Sequence, residues 1–542
     1  MRTAGARTIL ASTTAILLFW AALLPQMAGA TPRTGPVSRH PQTLNSSRTK
    51  ADFNNDGMGD LAVSAPGKTI AGKSQAGSIF EFLGSTGFST TGSKQFTEAT
   101  FGLTPGANDH FGSTLATGDF NGDGFSDLAV GDPGIGAGSL HGIGLVVVVY
   151  GSATGLDTGN FTVLHQGGTD ATDPDDAEEA NDNFGYTLAV GNFSTGSQDD
   201  LVVGSAYESV GGTVTGDSAG AISVFFGSSA GLTLSGHQFF TLATPGVPGP
   251  LVESADFGVG LAAGNFGMSS LDDVAIGVEG ASPGGASAAG SVVVLYGTNQ
   301  GLTTTGALLL YEGHHGIPGT PAANESFGRN LGAGDFDGDG FADLAIDSVG
   351  ETVAGHADAG EVFVLGGGAN GLMASNVQAW TENNDGVTST SAGDNYAFGD
   401  GLGTGDWGNG GKSDLAIGAT GAKVGSATQA GQVVVLYGGT AGLSTAGSQV
   451  WSQDSPGIQG TAETFDFFGS HVSGDILGTR PALVITSLYE SVGPAQAAGA
   501  FNIIYATSTG LSSTDNRIID QATAGVVGNA TTDSYFGAEV TP

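Results

Sequence analysis

One dipeptide recurs at a fixed interval along this 542-residue chain, and that interval limits the fold more than composition does. Phe-Gly stands at Phe111, Phe184, Phe257, Phe327, Phe398, Phe468 and Phe536, with spacings of 68 to 73 residues. Eight residues after each of the first five pairs comes Asp or Asn: Asp119, Asn192, Asn265, Asp335 and Asp406. Asp475 follows the sixth pair by seven, and an equivalent Asp52 opens the series with no Phe-Gly before it.

Each unit repeats one order. An apolar run such as LAVGDPG (128–134) or LAIGATG (415–421) precedes a loop ending in Ala-Gly or a close variant. A Val-rich run follows, LVVVVYG at 145–151 and QVVVLYG at 432–438, then a Gly-Leu turn and one more apolar-polar stretch. Short β-branched runs bounded by glycine read as buried strands. With 96 Gly and only 12 % charged residues, helices are disfavoured, while 39 % hydrophobic residues suffice for a core. The expectation is an all-β, seven-bladed β-propeller with four antiparallel strands per blade, an architecture in which radial repetition leaves only short edges. The ends complement each other. The chain stops at SYFGAEVTP and restarts its pattern at ADFNNDG. A C-terminal strand from Tyr535 to Val540 is therefore expected to complete the first blade and close the ring.

Residues 1–30 read as a secretory signal: Arg2 and Arg7, an apolar run from Thr8 to Leu24, and the small-residue site Ala28-Gly29-Ala30. Residues 31–50, polar and carrying Pro32, Pro36 and Pro41, read as a linker, and 51–542 as the propeller. The expected location is extracellular or at the cell surface, with no stable membrane insertion once the signal is removed. The formal charge of −38 offers no basic footprint for nucleic acid. The absence of cysteine excludes disulfides, thiolate metal sites and a cysteine nucleophile.

Three units carry a complete oxygen pattern after the recurring Asp. They are Asp52, Asn54, Asp56, Met58 and Asp60; Asp119, Asn121, Asp123, Phe125 and Asp127; and Asp335, Asp337, Asp339, Phe341 and Asp343. Oxygen side chains fall at positions 1, 3, 5 and 9, glycine at 6 permits a sharp bend, and the carbonyl at position 7 is a further ligand. Such an oxygen cage suits Ca2+ better than Mg2+, which keeps its waters. An EF-hand is excluded, because position 12 is Val63, Val130 or Ile346 rather than Glu. The loop is expected to join the first and second strands of a blade. The other units are internal controls: Asn192 to Gly196 and Asn265 to Ser269 have lost carboxylates, Asp406 to Asp414 keeps only positions 1 and 9, and the Asp475 loop has Arg480. Solvated acidic turns would not divide into complete and lost sets. About three structural calcium sites are expected.

Phe-Gly, then Gly-Asp-Phe with its acidic loop, then Ala65-Pro66-Gly67 or Asp132-Pro133-Gly134, resembles the FG-GAP repeat of integrin alpha-chain propellers. The resemblance covers residues 51–542. It implies an extracellular calcium-binding propeller used for adhesion and ligand binding. It departs from integrins in lacking a stalk, a transmembrane helix and a cytoplasmic tail. Some proteins with this repeat are enzymes carrying a separate catalytic domain, for which this chain has no room.

Antiparallel strands put the acidic loops and Gly-Leu turns on one face and the long, variable loops on the other, where binding is expected. Candidates there are the acidic run 169–180, the segment 207–211 and its echo 489–493. Trp380 and Trp451 are expected in the core near the ends of fourth strands. Gly227 to Gly231 matches G-x-S-x-G, but in a hairpin turn rather than a strand-to-helix elbow. His314-His315 lacks a metalloprotease setting. No catalytic residues or organic cofactor are assigned. The expected partner is an extracellular protein or glycan bound by a monomer. An extracellular hydrolase or polysaccharide-acting enzyme, and an inert cell-envelope protein, are the alternatives.

Overall fold

Every unit folds into one four-stranded antiparallel sheet, and seven such sheets make the molecule. The computed structural model describes residues 51–541 apart from 167–176, 211–217, 235, 385–386, 388–392 and 409. The expected signal and linker lie outside the described residues, as do most of the acidic run 169–180 and residue 211. Among the described residues the helical content is two short 3-10 turns, Glu98–Phe101 and Pro283–Gly285.

Blade 2 shows the pattern. Its strands are Thr114–Gly118, Asp127–Asp132, Leu145–Val149 and Phe161–Leu164. Leu115 pairs with Val130, Val130 with Val147, and Val147 with Val163. The second and third strands are buried throughout and the fourth is half-buried, as expected when a sheet is packed on both faces but has an outer edge. First strands of successive blades lie beside one another around the ring.

The core lies between blades. One cluster joins Ala116, Val146 and Val148 of blade 2 to Leu188, Val203 and Phe225 of blade 3. Trp380 and Trp451 end fourth strands and are buried in two such clusters, as expected.

The Phe-Gly repeat is a clasp between neighbours. The Phe111 N–H donates to Ala76 O (3.0 Å) of the preceding blade, Phe184 N–H to Ile143 O (3.2 Å), and Phe536 N–H to Ala498 O (2.8 Å). The glycine after each acceptor has φ between 77° and 89° (Gly77, Gly144, Gly220, Gly290, Gly360, Gly431, Gly499). A Cβ at any of them would run into the backbone of the clasping Phe. The Ala-Gly signature is therefore the receiving half of the Phe-Gly clasp.

Ring closure follows the sequence with one difference. The first strand of blade 1 is Val540–Thr541, pairing Val540 with Val63 and Thr541 with Ala62. The expected strand from Tyr535 is shorter because Tyr535 to Gly537 serve as the last clasp instead. Phe536 and Val540 share a cluster with Val63 and Phe80 of blade 1 and Val484 and Ile503 of blade 7.

Candidate metal centre

The three acidic loops lie on one rim of the ring. In blades 2 and 5 each joins the first strand to the second, as expected. Blade 1 differs: its first strand comes from the C-terminal end, so the loop Asp52 to Asp60 is not a covalent hairpin. Hydrogen bonds hold it on both sides. Gly59 and Gly478 of blade 7 exchange N–H···O bonds (2.8 and 2.9 Å), and the Ser126 N–H of blade 2 donates to Asp52 O (3.0 Å). That last bond recurs as a belt: Asp199 N–H to Asp119 O (3.1 Å), Ala342 N–H to Asn265 O (2.8 Å), and Ser413 N–H to Asp335 O (2.8 Å).

Within each complete loop the backbone wraps around the side chains of positions 1, 3 and 5. Asp119 Oδ1 accepts from the Asp123 N–H (3.1 Å) and Oδ2 from Gly124 (3.1 Å). Asn121 Oδ1 accepts from Asp123 (2.8 Å), and Asp123 Oδ1 from Phe125 (2.9 Å). The same set holds Asp52, Asn54 and Asp56 in blade 1 and Asp335, Asp337 and Asp339 in blade 5. In blade 5 one oxygen each of Asp335, Asp337 and Asp343 lies within 4.8 Å of the others. Oxygens brought together from three carboxylates fit a hard cation, and they repel one another without it. In blades 1 and 2 the corresponding third group is the amide of Asn54 or Asn121, an oxygen ligand with no charge.

Position 9 has a second role that the sequence pattern did not reveal. Asp127 Oδ2 accepts from the Phe120 N–H (2.9 Å) and Oδ1 from Gly151 (2.9 Å), tying the loop to the turn after the third strand. Asp60 and Asp343 do the same. So do Asp200, Asp273 and Asp414, in blades with no carboxylate at positions 3 and 5. The signal was present: an Asp stands eight residues after the recurring Asp or Asn in six units. Burial pushes Asp60 and Asp343 up to about 7 and Asp127 up to about 8, outweighing the main-chain N–H groups that pull them down.

Other singled-out residues have ordinary settings. Ser228 Oγ donates to Gly231 O (2.7 Å) inside the turn that carries the G-x-S-x-G match. His314 stacks on Tyr311, and His315 Nε2 meets Leu372 O (3.2 Å). Tyr489 packs against Phe467 and Tyr535. No helix among the described residues is long and apolar enough to cross a membrane.

The FG-GAP repeat family matches residues 111–143 and 327–365, which span two of the three complete loops. The chain is similar to phosphatidylinositol-glycan-specific phospholipase D from Bos taurus (32 % identical over 186 residues, 34 % of this chain and 20 % of that protein). The Homo sapiens phospholipase is 34 % identical over 174 residues, 31 % of this chain and 19 % of that one. The chain is also similar to integrin alpha-PS5 from Drosophila melanogaster (35 % over 106 residues, 19 % of this chain and 9 % of that one). The matches therefore span about a fifth or less of these relatives' length. With its recurring clasp and acidic loops, this chain is a seven-bladed propeller in which two segments match the FG-GAP repeat.

Proposed function

We propose that this protein is an extracellular calcium-binding propeller that acts as an adhesion or ligand-binding module. The carrying observation is the triple recurrence of one oxygen cage, Asp335, Asp337 and Asp343 being its most charged example, at the rim where blades are stitched together. Positions 1, 3, 5 and 9 would hold the ion, with the position-7 carbonyls of Met58, Phe125 and Phe341. Calcium supplies positive charge that neutralises the clustered carboxylates. The residues fix the loop, and through the belt the neighbouring blade. Ligand binding is assigned to the opposite face, where the long connections lie. A protein or glycan partner is the class that fits an acidic, secreted module.

The test is binding of the purified protein to an array of glycans and matrix proteins, in calcium and in EDTA. A hit lost in EDTA supports the reading and names the ligand class. A folded protein with no hit in either condition counts against adhesion and redirects the search to hydrolase substrates.

A further inference from the structure

The face opposite the acidic loops repeats a second arrangement, at the junctions between blades. Three positions meet there: the residue just after a fourth strand, the residue two before the next Phe-Gly, and the segment following the next blade's second strand. The clasp sets this geometry. Gly134 N–H donates to Asp109 O (2.9 Å), and Gly350 N–H to Glu325 O (3.0 Å), so the Gly-Ala-Pro-like segment grips the residue whose side chain enters the junction.

The seven junctions are filled in different ways. Between blades 3 and 4 the positions are Leu242, Ala255 and Ala281, all within one apolar cluster. Between blades 7 and 1 they are Gln521, Ser534 and Lys68. There the buried Lys68 ammonium donates to Gln521 Oε1 (2.9 Å) and Asn529 O (2.8 Å). That junction holds a cation provided by the chain itself. Between blades 6 and 7, Gln453 Nε2 donates to Glu490 Oε2 (2.6 Å), and Gln166 donates likewise to Glu208 between blades 2 and 3.

Two junctions gather three carboxylates: between blades 4 and 5 they stand at all three positions, whereas between blades 1 and 2 the third is Asp132, the last residue of the second strand, and Ile135 stands in register with Lys68. Between blades 1 and 2 these are Glu98, Asp109 and Asp132, with Glu98 1 % and Asp132 0 % exposed. Neither oxygen of Asp132 has a hydrogen-bond partner, and beside those of Glu98 stand only the Gly106 N–H and the Asp109 carboxyl, neither in good hydrogen-bond geometry. Lys73 and His141 act on Asp109 electrostatically but are exposed. Between blades 4 and 5, Glu312, Glu325 and Glu351 each bring an oxygen within 4.8 Å of the others, and Glu351 Oε2 is buried without a partner. Glu361 adds a fourth negative charge nearby. Buried orphaned oxygens are costly, and a native chain keeps them when something absent from the protein satisfies them.

We propose that these two junctions are a second class of divalent-cation site, formed by Glu98, Asp109 and Asp132 and by Glu312, Glu325 and Glu351, in which calcium takes the place that the Lys68 ammonium fills between blades 7 and 1. The proposal stands independently of the acidic loops. Oxygen-only donors of this kind select a hard cation. The competing occupant is the proton: burial and mutual repulsion push Glu98 and Glu351 up to about 8.

The experiment counts calcium bound per chain by equilibrium dialysis at millimolar calcium, for the unmodified protein, junction variants and loop variants. Glu98→Gln/Asp132→Asn and Glu312→Gln/Glu351→Gln are each expected to bind one calcium fewer. Loop variants Asp123→Asn and Asp339→Asn report the loop sites separately, so either class can fail alone. Junction variants that bind as much calcium as the parent overturn the proposal. Thermal melts give a second readout of opposite sign. In EDTA the junction variants should melt above the parent, because buried charge has been removed; in calcium they should melt below it. Variants that melt higher in both conditions mark the junctions as proton-holding and overturn the proposal. The single Glu98→Gln serves if a double variant does not fold.

Discussion

The loop of blade 2 and the loop of blade 6 share their main-chain hydrogen bonds to positions 1 and 9 and differ in the side chains at positions 3 and 5. In blade 2, Asp119 accepts from the N–H groups of positions 5 and 6, and Asp127 from Phe120 and Gly151. In blade 6, Asp406 accepts from Gly410 (3.1 Å) and Gly411 (2.9 Å), and Asp414 from Trp407 (2.7 Å) and Gly438 (2.9 Å). Only the side chains of positions 3 and 5 are missing, where Gly408 and Gly410 replace Asn121 and Asp123. The shared hydrogen bonds are therefore made by positions 1, 6 and 9, and positions 3 and 5 add the further side-chain oxygens of blade 2. Blade 4 has gone further: Gly267 at position 3 has φ of 124°, and a Cβ there would strike Gly368 O. Its backbone no longer accommodates a ligand side chain.

The largest expected effect falls on position 9, and at Asp414 it is independent of calcium. Asp127→Ala leaves two main-chain N–H groups unpaired and Asp414→Ala three (Trp407, Gly408 and Gly438), so each should cost about 2–4 kcal/mol in denaturant unfolding. The cost of Asp414→Ala should be the same in calcium and EDTA. A calcium-dependent cost at Asp414 would break the equivalence of the two loops. Next comes position 5. Asp123→Ala should cost about 1–3 kcal/mol in calcium and nearly nothing in EDTA, since it removes a ligand rather than a structural carboxylate. Gly410→Ala at the equivalent place, which has open space for a Cβ, should change stability by less than about 0.5 kcal/mol in either condition.

A gain of function is a smaller but sharper test. Gly408→Asn with Gly410→Asp should give blade 6 one additional bound calcium, readable by dialysis, provided the Tyr437 ring shifts to make room for a Cβ on the residue replacing Gly408. Failure to gain an ion would show that the cradle differs where the hydrogen bonds agree. The smallest effect is in pH. Burial pushes Asp414 up to about 6, from a model-peptide value near 4. A carboxyl raised in the folded state contributes stability that is fully present below its unfolded pKa and is lost as pH rises through about 6. Asp414→Asn should remove that decline between about pH 4 and 6, and an unchanged slope would assign it to other groups.

The repeat period, the strand order and the ring closure were legible because each rests on local signals repeated in register. Phe-Gly and Ala-Gly looked like two motifs and are two halves of one contact, which becomes evident only when Phe111 lies against Gly77. The acidic loops were legible because nine consecutive residues hold the whole oxygen pattern. Position 9 was misjudged in scope, since Asp200 and Asp273 resemble leftovers until their backbone partners Gly227 and Gly297 are in place. The junction carboxylates were hidden for another reason: Glu98, Asp109 and Asp132 come from two blades, and only the clasp brings them together. Aligning the seven units on Phe-Gly would have exposed the acidic residues at Asp109, Asp182, Glu325 and Asp466.

Whether calcium binds the folded propeller through its acidic loops is decided by a thermal melt in millimolar calcium and in EDTA. Extracellular modules bind calcium with dissociation constants of about 10⁻⁴ to 10⁻³ M, so about 10 mM calcium should add about 1.4–2.7 kcal/mol per site. A clearly higher melting temperature is expected in calcium, with the increment reduced in Asp123→Ala and unchanged in Gly410→Ala. Identical melts in calcium and EDTA would contradict calcium binding by the loops.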